Sequence, residues 1–200
     1  NLDSLSQRSA CGLTTPVGPG ITPGSGPGHM ALFGYNPLKY LIGRGVLEGL
    51  GIGVKLNKKS VAIRGNFCTV DQNGRLIDRR AGRIPTSLSA PLVQLLDQIN
   101  VPEVNISIHS VKDHRFVVIL DGEGLGPNVS DTDPQSIGVA PIKPMALSND
   151  SEKTAVIADV IVSAARGILG KEDKANMILL RGFSQIPQVP NMAESYNLIP

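Results

Sequence analysis

The sequence predicts an α/β protein whose larger part is an α+β segment of hairpins and helices. Apolar residues alternate with polar ones over 61–67 and again over 104–108, which is the period of strands with one buried face. Between these segments, leucines recur at helical spacing from Leu88 to Leu96. The 200 residues suffice for one or two domains, and we expect strands covered by helices.

The first 56 residues are rich in glycine and proline, so they predict only short elements. Pro16, Pro19 and Pro23 interrupt any regular ladder and predict a loop over 15–23. The other elements expected here are a helix over 2–8, a strand over 10–14, a helix over 25–33 and a helix over 46–50.

From residue 57 onward the patterns are those of hairpins. Asn73-Gly74 is a strong hairpin turn and predicts a partner strand over 75–78. Continuous apolar runs predict buried strands over 115–120 and 177–180. The segment 122–144 is rich in Gly, Pro, Asp and Ser and is too long for a simple connector, so it suggests a binding loop or a lid.

Two helices complete this region. The first is predicted to bury Leu88, Leu92, Leu95, Leu96 and Ile99. The second follows Asn149 and Glu152, which resemble a capping box, and Gly170 is its expected end. Its predicted apolar face consists of Ala155, Val156, Val160, Ile161, Ala164 and Ile168.

Composition narrows the classes of partner. The net charge of +2 is too small to indicate nucleic acid or an anionic membrane, and no apolar run is long enough to span a bilayer. Cys11 and Cys68 have no metal-type spacing, and we expect both to be reduced, buried thiols of a cytoplasmic protein.

One short motif carries chemistry, the serine of Gly24-Ser25-Gly26-Pro27-Gly28-His29. The motif predicts a loop that feeds a helix, and free N–H groups at a helix N-terminus favour negative charge. The flanking glycines let a phosphate approach the main chain closely. Ser25 is therefore a phosphate ligand, a phosphorylated nucleophile or only a helix cap.

Longer segments resemble a known family. GSGPGHMALFGYNP (24–37), GRGVLEGLGIGV (43–54), RGNFCTVDQNGRLIDRRAGRI (64–84) and HRFVVILDGEGLGPNVSDTDP (114–134) are similar to the archaeal-type, cofactor-independent phosphoglycerate mutases. These belong to the alkaline phosphatase superfamily. The resemblance implies an alkaline-phosphatase-like core over 1–56, an inserted α+β domain over 57–186 and a return toward the core over 187–200. It also implies that the chain is a front-and-middle fragment of a longer enzyme.

The same resemblance implies a mechanism. Ser25 matches the serine that the family phosphorylates, and it would also be a metal ligand. The implied metal is Mn²⁺ or another divalent ion (Mg²⁺, Co²⁺ or Zn²⁺), and 2,3-bisphosphoglycerate is not required. The other metal ligands are expected outside this chain. His29, four residues after Ser25, is not taken as a ligand, because a packing role is the commoner one.

Arginines and their neighbours are the substrate-binding candidates. Guanidinium groups bind phosphate and carboxylate bidentately, and a phosphoglycerate carries both. The residues assigned to the substrate are Arg64, Asp78, Arg79, Arg80, Arg83, His109, Arg115 and Arg181, with Asp131 and Asp133 as weaker additions. The alternative for each is an ordinary solvated charge or a local ion pair.

Three functions stay open at this level. The first is a metal-dependent phosphoglycerate mutase of the cytoplasm, acting in glycolysis and gluconeogenesis on a small phosphorylated metabolite, with homo-oligomerisation undecided. The second is a related phosphoryl transfer, homoserine-kinase-like or phosphatase-like. The third is a non-catalytic substrate-binding module, for this chain alone. Hinges are expected near 53–58 and 185–190, from their Gly and Pro content.

Overall fold

The computed structural model describes residues 1–21 and 23–198. Its helices are α1 (Leu2–Ser6), α2 (Ser25–Leu32), α3 (Arg44–Gly51), α4 (Thr86–Leu96), α5 (Glu152–Leu169) and α6 (Met192–Tyr196). Its strands are β1 (Val61–Val70), β2 (Leu76–Asp78), β3 (Asn105–Lys112), β4 (Arg115–Asp121) and β5 (Met177–Ser184).

Contacts divide the chain into two units, which are described separately. The first unit comprises Asn1–Leu41 with Gln188–Pro200, and the second comprises Ile42–Pro187. The boundaries at residues 56 and 186 that the family resemblance implies remain a prediction about the whole protein.

The second unit is built on an antiparallel five-stranded sheet. Its order is β2-β1-β4-β3, and β5 pairs with the other edge of β1. The predicted strands and the hairpin at Asn73-Gly74 are confirmed. The loop between β4 and α5 adds to the sheet, because Thr132 exchanges hydrogen bonds with Leu180 and residues 138–139 bond to Leu76.

Two faces of this sheet are covered. One face packs against α4 and α5 around Phe67 and Phe116, whose ring centroids lie 4.9 Å apart. The other face packs against α3 through Val46, Ala62 and Val117. Within the described residues, the buried core is therefore aliphatic apart from Phe67, Phe116 and Phe183, as the sparse aromatic content implies.

Helix α3 lies unusually close to the sheet. A Cβ atom on Gly45 would stand 2.0 Å from the carbonyl oxygen of Ala62, so only glycine fits there. The next residue, Val46, donates its N–H to the Ser184 hydroxyl over 3.1 Å. These contacts fix the first turn of α3 across β1 and β5.

The first unit is small and poorly buried. The predicted helix over 25–33 is confirmed as α2. The ring of Tyr35 packs edge-on against Tyr40 and Tyr196, and the Tyr196 hydroxyl donates to the carbonyl of Gly34 over 2.5 Å. Met30 is the buried apolar side chain of α2, whereas Leu32 beside it is exposed.

Several predictions about local structure are wrong. Residues 10–14 form no strand, because they are exposed and no strand pairs with them in the described chain. The capping box at Asn149 and Glu152 does not form, since Asn149–Ser151 make a 3₁₀ turn before α5. Cys11 is exposed rather than buried, whereas Cys68 is buried as expected.

The predicted buried faces of both long helices are also partly wrong. In α4, Leu88 and Leu95 are exposed and Val93 is buried instead. In α5, Val156, Val160 and Ile168 point outward. The buried side of α5 runs through Ala158, Ile161, Ala165 and Leu169, where two alanines allow close packing on the sheet.

Candidate functional site

Arginines converge on the sheet face that α3 covers. Arg64 on β1 lies directly opposite Arg181 on β5, and Asn66 on β1 lies opposite Arg115 on β4. Because Arg64 and Asn66 are two residues apart on one strand, all four point to the same side. Arg44, in the first turn of α3, lies against Gly182 beside Arg181. We call Arg44, Arg64, Arg115 and Arg181 the arginine face.

Glu48 is the acidic residue that α3 brings to this face. Its Oε1 lies 3.3 Å from the Nη1 of Arg64 and 3.3 Å from the Nη1 of Arg115. Glu48 projects one turn after Arg44 on α3, so the helix that packs at Gly45 also delivers the carboxylate. One carboxylate thus holds two guanidiniums from different strands in a fixed arrangement.

The electrostatics of Arg64 reflect this crowding. Burial is the main cause that lowers the pKa of Arg64, and the charge of Glu48 opposes it. The charges of Arg115, Arg44 and Arg181 lower it further. Because arginine stays protonated in proteins, the face keeps an excess of positive charge, which an anion would relieve.

Asp131 and Asp133 approach the arginine face from the loop between β4 and α5. Arg79 donates its Nε and Nη2 to the two oxygens of Asp133, each over 2.7 Å, and Arg181 Nη1 lies 3.1 Å from Asp133 Oδ2. Burial alone would raise the pKa of Asp133, but hydrogen bonds from Arg79 and from the Gln135 N–H hold it below the usual value. Arg79 therefore has a structural partner.

The remaining residues of the segment DRRAGR (78–83) have separate surroundings. Asp78 accepts the N–H groups of Arg80 and Gly82, each over 2.7 Å. This closes a turn in which Ala81, Gly82 and Arg83 all have positive φ, at 48°, 62° and 52°. The side chains of Arg80 and Arg83 are exposed, and Arg80 is near enough for its charge to lower the pKa of His114.

The two histidines of this unit differ. His109 on β3 lies opposite Val117, which in turn lies opposite Arg64, so His109 is on the arginine side of the sheet. Its Nε2 is 3.0 Å from the Ser107 hydroxyl. His114, in the β3–β4 turn, is buried, and burial followed by the charge of Arg115 lowers its pKa to about 4.

Ser25 belongs to the first unit. It is the first residue of α2, it is exposed, and it lines a shallow cavity of about 280 Å³ with Pro16, Gly28 and His29. His29 Nδ1 lies 2.6 Å from the carbonyl oxygen of Ser25, so the ring is bound within its own helix. That His29 is not a metal ligand stays a prediction.

A divalent metal needs several ligands beside the serine. Over residues 1–21 and 23–198, no three His, Cys, Asp or Glu side chains converge on one point. The residues around Ser25 therefore do not by themselves fit the metal that the family resemblance implies.

Comparison with known proteins identifies the family. The model of the 2,3-bisphosphoglycerate-independent phosphoglycerate mutases matches residues 6–175. The chain belongs to this mutase family. The matched range includes Ser25, Glu48, Arg64, Arg79 and Arg115, while Arg181 lies just beyond it.

Curated relatives of the mutase family align along the whole chain. A protein of Thermus thermophilus is 46% identical over 202 residues, and one of Thermotoga neapolitana is 50% identical over 200 residues. Both are named "probable 2,3-bisphosphoglycerate-independent phosphoglycerate mutase". The alignments cover 100% and 99% of this chain but 50% of each relative, so the chain spans about half their length.

Solved structures agree on the fold. The cofactor-independent phosphoglycerate mutase of Thermoplasma acidophilum superposes with a TM-score of 0.70 at 28% identity, covering 85% of this chain and 49% of that one. The PH0037 protein of Pyrococcus horikoshii, at 24% identity and a TM-score of 0.67, has a similar fold.

Two residues beside the arginines are not predicted from the sequence. Glu48 sits in a glycine-rich segment and looks like the polar side of a short helix, and Asn66 looks like a polar position on a half-buried strand. The segment from Arg64 to Asn66 has ordinary strand alternation, and nothing in it shows that α3 covers the polar side. The register of β1 with β4 and β5 brings Asn66 to the arginines, and the packing of α3 at Gly45 brings Glu48 there.

Proposed function

We propose that the whole protein is a phosphoglycerate mutase, an isomerase that interconverts 3-phosphoglycerate and 2-phosphoglycerate without 2,3-bisphosphoglycerate. The supporting observation is the arginine face, four guanidiniums of which two share the carboxylate of Glu48, in a chain of the mutase family. The pathway that we propose is glycolysis and gluconeogenesis, in the cytoplasm. Within the described residues, no helix is long and apolar enough to cross a membrane.

The proposed substrate site is the arginine face, in particular Arg64, Arg115 and Arg181. Planar guanidinium groups suit the phosphate and the carboxylate of a phosphoglycerate, each of which accepts paired hydrogen bonds. Arg80 and Arg83 are exposed and are proposed to contact the substrate from the outside of the site. His109, on the same side of the sheet as the arginine face, is proposed as a further contact. Arg79 and Asp78 are proposed to act by shaping the site, since their polar groups are already bonded.

The proposed nucleophile is Ser25. Its Oγ would give up the hydroxyl proton and attack the phosphorus, and the bond between phosphorus and the substrate oxygen would break. That oxygen would take up a proton, which leaves phosphoserine and bound glycerate. Transfer of the phosphoryl group to the other hydroxyl of the glycerate would regenerate the serine. A divalent metal, Mn²⁺ or a similar ion, would supply charge neutralisation, with its remaining ligands in the part of the relatives that this chain does not span.

The domain arrangement belongs to the same proposal. We propose that residues 1–56 and 187–200 belong to an alkaline-phosphatase-like core and that 57–186 form a domain inserted into it. The exposed leucines of the first unit, such as Leu2, Leu13 and Leu38, are consistent with a segment that packs against further chain.

The test is a coupled assay of the full-length protein with 3-phosphoglycerate and Mn²⁺, without bisphosphoglycerate. We expect turnover that a chelator abolishes and that Ser25→Ala reduces at least about a thousandfold, while Ser9→Ala, an exposed serine of the same unit, leaves it unchanged. Turnover retained in Ser25→Ala would reject the phosphoserine. A folded, metal-loaded protein without mutase activity would favour a phosphatase-like or kinase-like reaction instead.

A further inference from the structure

The strand segment from Arg64 to Asn66 carries two buried polar atoms that lack partners. Among the residues that the structure describes, neither the Nε of Arg64 nor the Oδ1 of Asn66 makes a hydrogen bond. Asn66 as a whole is only 4% exposed. An unpaired polar atom in such a place lowers stability, so it needs an explanation.

These two atoms are complementary. The Nε of Arg64 is a donor, and the amide oxygen of Asn66 is an acceptor. The side chains are neighbours on the same side of β1, and the residues opposite them are Arg181 and Arg115. The arginines of this face offer donors only. The carboxylates that reach it are already paired, Glu48 with Arg64 and Arg115, and Asp133 with Arg79 and Arg181.

A phosphoglycerate has groups that match both atoms. Its phosphate and carboxylate oxygens accept hydrogen bonds, which suits Arg64. Its free hydroxyl has a proton to donate, which the arginines cannot accept, and the carboxylates at this face are already engaged by guanidiniums. The amide of Asn66 supplies the acceptor that is lacking.

We propose that Asn66 is a specificity-determining residue that hydrogen-bonds the free hydroxyl of the glycerate while the arginines hold its anionic groups. This inference rests on the proposed function. It makes the arginine face selective for a hydroxy acid phosphate over a simple phosphorylated acid. A site built to bind a hydroxyl rejects an analogue without it, because its buried polar group is then left unpaired.

The test compares two ligands on the full-length protein by calorimetry. One is 3-phosphoglycerate, and the other is 3-(phosphonooxy)propanoate, which has hydrogen in place of the 2-hydroxyl. We expect the unmodified protein to prefer 3-phosphoglycerate by at least about tenfold. In Asn66→Ala the preference is expected to fall to less than about threefold, with affinity for the deoxy ligand almost unchanged.

Asn176 gives a matched control. Its amide is fully bonded, accepting the Val70 N–H over 2.8 Å and donating to the Val70 carbonyl over 2.9 Å. Asn176→Ala should lower the melting temperature and keep the ligand preference, whereas Asn66→Ala should keep the melting temperature and lose the preference. The two asparagines thus separate a role in folding from a role in recognition.

The outcomes distinguish the inference from the function on which it rests. If the unmodified protein discriminates and Asn66→Ala discriminates equally, the inference is overturned while the mutase proposal stands. If the unmodified protein binds both ligands equally, Asn66 does not recognise the hydroxyl and the inference is overturned. If it binds neither, both the inference and the substrate proposal fail.

Discussion

Arg79 is a residue of the DRRAGR segment whose side chain is held by an ion pair. Its guanidinium is bidentate to Asp133, whose side chain is 1% exposed. Without Arg79, the buried Asp133 carboxylate would keep only Arg181 and the Gln135 N–H as partners, and a buried charge that has lost its bidentate partner is costly. Arg79→Ala should therefore lower the free energy of unfolding by about 3 kcal/mol. Chemical denaturation measures this, with exposed Arg75→Ala as a control expected within about 0.5 kcal/mol of the unmodified protein. Equal stability of the two variants would contradict a structural role for Arg79.

His114 gives a pH dependence of stability. It is buried, and it faces the charges of Arg115, Arg80 and Arg64, with Asp113 as the opposing charge. Its pKa in the folded protein is about 4, below the ordinary value of 6.5, so the unfolded chain binds the proton more readily. Stability is therefore complete above the ordinary pKa of 6.5 and declines as the pH falls toward about 4.

The expected loss between about pH 7.5 and pH 5 is about 2 kcal/mol. Thermal unfolding of the protein and of His114→Gln over this range provides the measurement, and the variant should show a flatter slope. The low pKa of Asp133 contributes only below this window, because its ordinary value is 3.8. An unchanged slope in His114→Gln would assign the effect to other groups.

The sequence predicts the kind of residue at the site better than the role of each one. The chemistry of guanidinium singles out Arg64, Arg115 and Arg181, and the structure does bring these together. The sequence cannot distinguish these three arginines from Arg79, because the partner of Arg79 is Asp133, 54 residues away. Glu48 is not predictable for the same reason, since its importance arises from two strands that are remote in sequence.

At the level of elements, the position of α3 depends on one glycine. A Cβ on residue 45 would collide with the Ala62 backbone at 2.0 Å, and backbone atoms cannot move aside as a side chain can. Gly45→Ala should therefore displace α3, lower the free energy of unfolding by about 3 kcal/mol and move Glu48 away from the arginines. Weakened binding of 3-phosphoglycerate would accompany the lower melting temperature.

Gly51 in the same helix is the matched control. A Cβ there meets no atom within 4 Å, so Gly51→Ala should be neutral or stabilise by up to about 1 kcal/mol. If both variants unfold at the same temperature, the close approach at residue 45 is not what positions α3.

The helices also show where sequence patterns lose information. Helix α5 is predicted correctly as a helix, but its buried side is rotated from the predicted one toward Ala158 and Ala165. Hydrophobicity favours Val156 and Val160 for the interior, whereas the short distance between helix and sheet favours alanine. Period and length are local properties of a sequence, but the distance between two packed layers is not.

At the scale of the whole molecule, the apolar cores lie in the second unit. The three clusters of buried apolar side chains that include Phe116, Val117 and Leu179 all fall within Ile42–Pro187. We expect residues 42–187 to fold alone, with a single cooperative thermal transition and a dispersed amide spectrum. A peptide of residues 1–41 is expected to show neither. A non-cooperative transition of 42–187 would mean that the first unit is needed for folding.

The strand-rich part of the chain is predictable because its signals are local. Alternation, the Asn73-Gly74 turn and a continuous apolar run define β1, β2 and β4, respectively, without reference to distant residues. In the first 41 residues the predicted strand at 10–14 is wrong, because a short segment without a paired neighbour has no ladder to join. The arrangement of alkaline-phosphatase core and insertion stays a prediction.

The turn that Asp78 closes has a thermodynamic consequence. Three successive residues with positive φ, Ala81 to Arg83, are held by two hydrogen bonds to a single carboxylate. Folding has therefore already removed most of the backbone freedom of the segment that carries Arg80 and Arg83. An anion that docks on these arginines would restrict their side chains alone, so its association should show a small entropic penalty and little change in amide hydrogen exchange along the turn.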